Sequence, residues 1–226
     1  MKLNKIIVIA GATALISGSA MAQVTKQGNK YLFRVKYAKG QVIKYGMNMS
    51  INMGGKSQPM NMDVTSKVLN VDAKGVSTLE VTSSMGGGTQ TVKIDSKGKV
   101  VGGSSGGANF ATAMPDKAIG VGESWTGDMA GGAGMGMNAK VKYTLKGVKT
   151  VGGKPCAEIS ISLTMKGSGG TGAQAGAMNA TGAGSMYVIM SDGTLQSSSL
   201  SMKMNMSGAA AAQGKNATMV VSMNRK

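Results

Sequence analysis

The chain has 226 residues, 25 of them Lys or Arg against nine Asp or Glu, for a formal net charge of +16. It contains no histidine, which removes Ser-His-Asp and Cys-His catalysis and ordinary zinc sites. Its single cysteine, Cys156, has no intramolecular disulfide partner.

The N-terminus carries the first element. Lys2 and Lys5 form a basic start, Ile6 to Ile16 an apolar run, and Ala20 and Ala22 a small-x-small pattern ahead of Gln23. This predicts a signal peptide over 1–22 and an exported, soluble mature chain over 23–226, read as a single all-β domain. A retained anchor would need roughly 20 apolar residues, and Ser17, Gly18 and Ser19 interrupt the run too early. Loss of Lys2 and Lys5 lowers the charge to +14.

Beyond the leader the dominant period is two. Ile43, Tyr45, Met47, Met49, Ile51 and Met53 share one face, with Lys44, Asn48, Ser50 and Asn52 on the other. The same alternation runs through Met137–Leu145, Ala157–Met165, Leu200–Met206 and Met219–Met223. These are predicted antiparallel strands, apolar on one face and polar on the other. VDAKGV (71–76), DSKGK (95–99), VGGKP (151–155) and SDGT (191–194) read as hairpin turns. The glycine-rich tracts at 102–107, 131–136 and 167–184 read as flexible loops, and 108–118 as one short helix. A loose echo between 28–101 and 120–226 suggests a duplicated meander. The expected fold is a curved antiparallel sheet or a barrel or half-barrel of about 10–12 strands.

Several short motifs carry a resemblance. Lys39, Gly40 and Tyr45, then Val71, Asp72 and Gly75, then MPDK (114–117) and VGESW (121–125) resemble an uncharacterised family of exported bacterial proteins. The resemblance implies a cell-envelope β protein and supplies no catalytic residue.

Nineteen methionines but only seven leucines remain after the leader. On the strands methionine keeps the phase of Ile, Val, Leu and Tyr, so the plain reading is an adaptable core filler. The same side chains would suit an apolar cavity that accepts a lipid or another hydrophobic molecule. Thioethers also suit Cu(I), and M-x-M on a strand sends both sulfurs to one face. Met47, Met49, Met60, Met62, Met202, Met204 and Met206 are the candidate ligands, with Met135/Met137 a further pair.

Other chemistry is sparsely represented. Asp72, Asp95 and Asp192 lie in turns, where capping their own backbone explains them. Glu123 and Asp128 flank Trp125 in the manner of a sugar-site pair, although Trp125 also reads as a plain packing anchor. Cys156, within strand sequence, is expected to be a buried thiol. All basic residues but Arg34 and Arg225 are lysines. They are scattered and lack aromatic companions, which argues against nucleic acid and for a solvated surface or loose contact with anionic envelope components. The resulting expectation is a non-enzymatic envelope module with an apolar methionine-rich concave face, or alternatively a methionine-based Cu(I) binder in the periplasm. Edge pairing between copies is left open.

Overall fold

A computed structural model describes residues 24–85, 88–103, 114–130, 138–169, 176–207 and 216–226. The expected leader lies outside them. The described residues form strands and turns, with two sheets. The strands are β1 (Val24–Gln27), β2 (Lys30–Phe33), β3 (Val42–Met53), β4 (Lys56–Val71), β5 (Ser77–Ser83), β6 (Thr89–Ile94) and β7 (Val100–Gly103). They continue as β8 (Ile119–Gly120), β9 (Ser124–Ala130), β10 (Asn138–Val151), β11 (Lys154–Gly169), β12 (Gly176–Ile189), β13 (Leu195–Met206) and β14 (Asn216–Arg225).

The main sheet has eleven strands in the order β7-β6-β5-β4-β3-β14-β13-β12-β11-β10-β9. Every pairing is antiparallel. Two consecutive meanders, β3 to β7 and β9 to β14, are joined where β3 pairs with β14. Strands β1, β2 and β8 form a separate three-stranded sheet. Among the described residues the large sheet does not close, so of the expected alternatives it takes the open curved form.

Its curvature follows from two hydrogen bonds. Val35 N donates to Ser96 O in the β6–β7 turn, and Lys36 N donates to Asp192 O in the β12–β13 turn. Those turns are six strand spacings apart, about 29 Å in a flat sheet, yet adjacent residues reach both. The sheet must curl at this end. The small sheet fills the curl. Val24, Phe33, Met114 and Ile119 pack in one core with Val141, Leu145, Ile159, Leu163 and Met186. Trp125 is stacked between Phe33 and Tyr143, with ring centroids 6.2 and 5.2 Å away.

The two arginines fasten this closed end. Arg34 Nη1 donates to the carbonyls of Phe33 and Pro115, and Nη2 to that of Asp116. Arg225 Nη1 reaches Thr194 Oγ1 at 2.8 Å and Asp192 Oδ2 at 3.3 Å. Gly193, at φ +67°, lies against the Arg34 carbonyl; an added Cβ would stand 2.0 Å from that oxygen.

The turns at 71–76 and 95–99 are built alike. Asp72 Oδ1 accepts from Lys74 N and Val76 N, and Asp95 Oδ1 from Lys97 N and Lys99 N. The side chain supplies acceptors for amides that the tight turn leaves unpaired.

Two expectations need correction. The tract 167–184 is not a loop for most of its length: 167–169 end β11 and 176–184 begin β12. Its small residues serve packing, since an added Cβ on Gly182 would lie 2.8 Å from Met202 Cγ and 3.5 Å from Leu200 Cδ1. The bulky side chains of β13 occupy the room that β12 gives up. The helix expected over 108–118 falls largely outside the described residues. The described part, 114–118, is a bend. Met114 N donates to Lys97 O there, and the Pro115 and Asp116 carbonyls face Arg34, so tertiary partners take up backbone groups that a helix would use internally. The tract at 131–136 lies outside the described residues, as do 104–107, while Gly102 and Gly103 end β7.

Burial makes the tyrosines of this core resist ionisation. Desolvation pushes Tyr143 up to about 12 from 10.0. Tyr37 is likewise raised to about 12 by burial and by nearby Asp192, and burial raises Tyr45 as well. A raised folded value means that the stability is whole below the unfolded value and is lost as pH climbs through the folded one. Tyr143 alone accounts for on the order of 3 kcal/mol. Urea midpoints followed by Trp125 fluorescence should therefore hold level up to about pH 10 and fall steeply toward 12; a flat profile there would contradict the buried placement.

Candidate functional site

The register lines up the inner face in rows that cross the strands. One runs Tyr143, Ile161, Gly184, Leu200, Val221, Met49, Met60. The next runs Val141, Leu163, Gly182, Met202, Met219, Ile51, Gln58, and the third Ala139, Met165, Ala180, Met204, Ala217, Met53, Lys56. From β10 to β3 the second and third rows carry only aliphatic residues, methionine or glycine. The small column of β12 lies in the middle of this surface.

Cover is uneven along the strands. Toward the plugged end Met47, Met186 and Met223 are 1%, 2% and 4% exposed. Toward the other end cover differs from residue to residue: Met49, Ile51, Met53, Met60, Met204 and Met219 are half-buried, while Ala139, Val141, Leu163, Ala180 and Ala217 in the same rows are buried. The inner face is thus a trough, sealed at one end by the three-stranded sheet and the Trp125 stack, and covered unevenly at the other, where a set of methionines and Ile51 is left half-exposed.

The candidate metal ligands separate into two groups. Met47 is directly opposite Met62, and Met49 opposite Met60, across the β3–β4 pairing. Met47 also faces Met223 on β14. Met202 and Met204 stand on β13, two strands from β3 and about 10 Å away, with Met219 between Met202 and Ile51. Met206 is in register with Met178. The Met62 sulfur accepts a contact from Ser83 Oγ at 3.6 Å. Met135 and Met137 lie outside the described residues. The seven candidates therefore do not converge on one centre; the β3–β4 pairs are the closest thioether grouping.

The carboxylates flanking Trp125 serve structure where their contacts are described. Glu123 Oε1 accepts from Lys30 Nζ at 2.7 Å and Oε2 from Gly120 N at 2.9 Å. The Lys30 hydrogen bond, then the Gly120 amide, hold its carboxyl below the usual range. Asp128 pairs in register with Lys140 on β10. Cys156 is fully buried, and desolvation pushes its thiol up, away from thiolate chemistry. On the outer face a shallow cleft of about 500 Å³ is lined by Asn48, Asn61 and Asn224, with Lys226 Nζ on Asp63 Oδ1 at 2.5 Å.

No family model matches the chain, and no curated protein matches it. Among solved structures it is similar to a DUF1329 family protein from Desulfovibrio piger, at 14% identity and a TM-score of 0.23. The match covers 82% of this chain and 84% of that one. At that score the likeness carries neither architecture nor site across.

Sequence reasoning missed the small column of β12, because its Gly and Ala content resembles a linker. The signal was present as Ala180, Gly182 and Gly184 at strict period two. It also missed the arginines as fasteners, since their carbonyl partners are distant in sequence.

Proposed function

We propose that the chain is an exported, non-enzymatic cell-envelope protein whose methionine-lined trough takes up an apolar ligand such as a lipid acyl chain. The observation that carries this reading is the change in cover along one continuous apolar face. A folded core has no need to leave Met49, Ile51, Met53, Met60, Met204 and Met219 half-covered on the same surface that is sealed a few residues away. Methionine is flexible and polarizable, so it repacks around a chain of variable shape.

The test is native mass spectrometry of protein purified from the envelope, with and without Ile51→Asp and Met219→Asp. Co-purifying lipid is expected for the parent and at least ten-fold less for the variant, since two charges would be placed on the apolar face. Lipid-free parent protein would overturn the reading.

A second reading, Cu(I) binding, is favoured by the direct pairing of Met47 with Met62 and of Met49 with Met60. In that case Met47→Leu with Met49→Leu weakens Cu(I) binding under reducing conditions while lipid uptake persists.

A further inference from the structure

The third inner row alternates in size. Met165, Ala180, Met204, Ala217 and Met53 follow one another across β11, β12, β13, β14 and β3. Ala180 and Ala217 are 2% and 3% exposed, whereas all three methionines are half-buried. A methionine side chain reaches well beyond an alanine methyl, so in this stretch the thioethers carry the exposure. Successive methionines stand two strands, about 10 Å, apart.

Several other sulfurs are closed off. Met47, Met186 and Met223 are sealed. Met62 is half-buried, but its sulfur is engaged by Ser83 Oγ. Cys156, the single thiol of the chain, is fully buried. Desolvation holds it away from the thiolate form that oxidants attack first. A peroxide arriving at the inner face therefore meets thioethers before any thiol.

The chemistry needs no further group. The methionine sulfur attacks one peroxide oxygen, the O–O bond breaks, and the departing hydroxide takes the proton of the transferred hydroxyl and leaves as water. Sulfur is oxidised by two electrons to the sulfoxide, and the peroxide is reduced. At a half-covered position the new oxygen can reach water, so the product costs the fold little. At Met47 it would be taken out of water between Met62 and Met223, neither of which offers a side-chain donor.

We infer that Met53, Met165 and Met204 form a site of reversible sulfoxidation by peroxide, which turns this row from apolar to polar while the sealed end stays intact. The modification rests on register and exposure alone. Its effect on a bound acyl chain, displacement from a face made polar, rests on the trough reading above.

The experiment is timed exposure of the mature protein, freed of bound lipid by detergent exchange, to hydrogen peroxide, with peptide mass spectrometry as the readout. Met53, Met165 and Met204 are expected to gain oxygen at least ten-fold faster than Met47, Met186 and Met223. Their rates should approach that of Met85, which is 53% exposed, and in concentrated urea all rates should converge. Far-UV circular dichroism should not change as the fast set is modified. Methionine sulfoxide reductases for both epimers, supplied with a dithiol, should restore the starting mass. The triple variant Met53→Leu, Met165→Leu, Met204→Leu keeps the volume and the fold, and should remove three oxygens from the fast phase. Equal rates in the folded protein, an unchanged fast phase in the triple variant, unfolding as the three are modified, or a mass that the reductases do not restore would overturn the proposal. Native mass spectrometry of envelope-purified protein before and after peroxide reports separately on the ligand. Lipid-free parent protein would sink the trough reading alone, because the oxidation rates do not depend on it. Lipid that stays bound after the fast set is oxidised would overturn the link between the two.

Discussion

Gly184→Ala should destabilise the protein by about 3 kcal/mol or more, whereas Gly182→Ala, two residues away on the same strand face, should stay within about 1 kcal/mol of the parent. At Gly184 the new Cβ would stand 2.1 Å from the Ser199 carbonyl oxygen and 2.9 Å from Leu200 Cα. Both are backbone atoms of β13, and neither can move without breaking the pairing of Gly184 with Leu200. At Gly182 the nearest atom is Met202 Cγ at 2.8 Å, part of a flexible side chain, followed by the Ser201 carbonyl at 3.0 Å. Met202 can rotate, and the entropy gained by removing a glycine from a strand, roughly 0.5–1 kcal/mol, offsets what remains. For a chain of this size the Gly184 variant should melt roughly 10 °C lower. Urea unfolding decides the order of the two, and equal midpoints would mean that β12 and β13 are not in this register.

The second large effect is at Met47. It is buried at 1% exposure, between Met62 on one side and Met223 on the other. Truncation to alanine leaves a cavity that a closed end can refill only in part, and should cost about 3 kcal/mol. Met204→Ala, on the same inner face at the less covered end, should cost under about 1 kcal/mol because its side chain is already partly in water. Met47→Leu keeps the volume and should cost less than about 1.5 kcal/mol. A steep gradient from Met47 to Met204 in denaturant midpoint would reproduce the plugged-to-open trend of the trough. If Met204→Ala cost as much as Met47→Ala, the open end would have to be packed solid, and the ligand reading would lose its support.

Much of this fold was legible from residue order. The alternation from Ile43 to Met53 places each of those six side chains on the inner face, and Asp72, Asp95 and Asp192 fall in the turns where short Asp/Gly sequences predict them. Such features are local, decided by a two-residue period or by one side chain reaching its own backbone. The 167–184 tract was misread for a reason of the same kind. Glycine content reports what a residue permits, and only Leu200 and Met202 leaning over from β13 show why the room is used. The helix expected near 108–118 gives way, in its described part, to a bend whose backbone groups are taken by Arg34 and Lys97.

The candidate sites divide in the same way. The sequence alone determined that methionine would lie inward in step with the aliphatic residues, and that histidine-dependent chemistry was absent. It did not determine which methionines would be sealed or which would face one another. Those are consequences of register and curl. Strand pairing brings together positions far apart in the chain, and no local period encodes which end of the sheet the Phe33 and Trp125 cluster would fill.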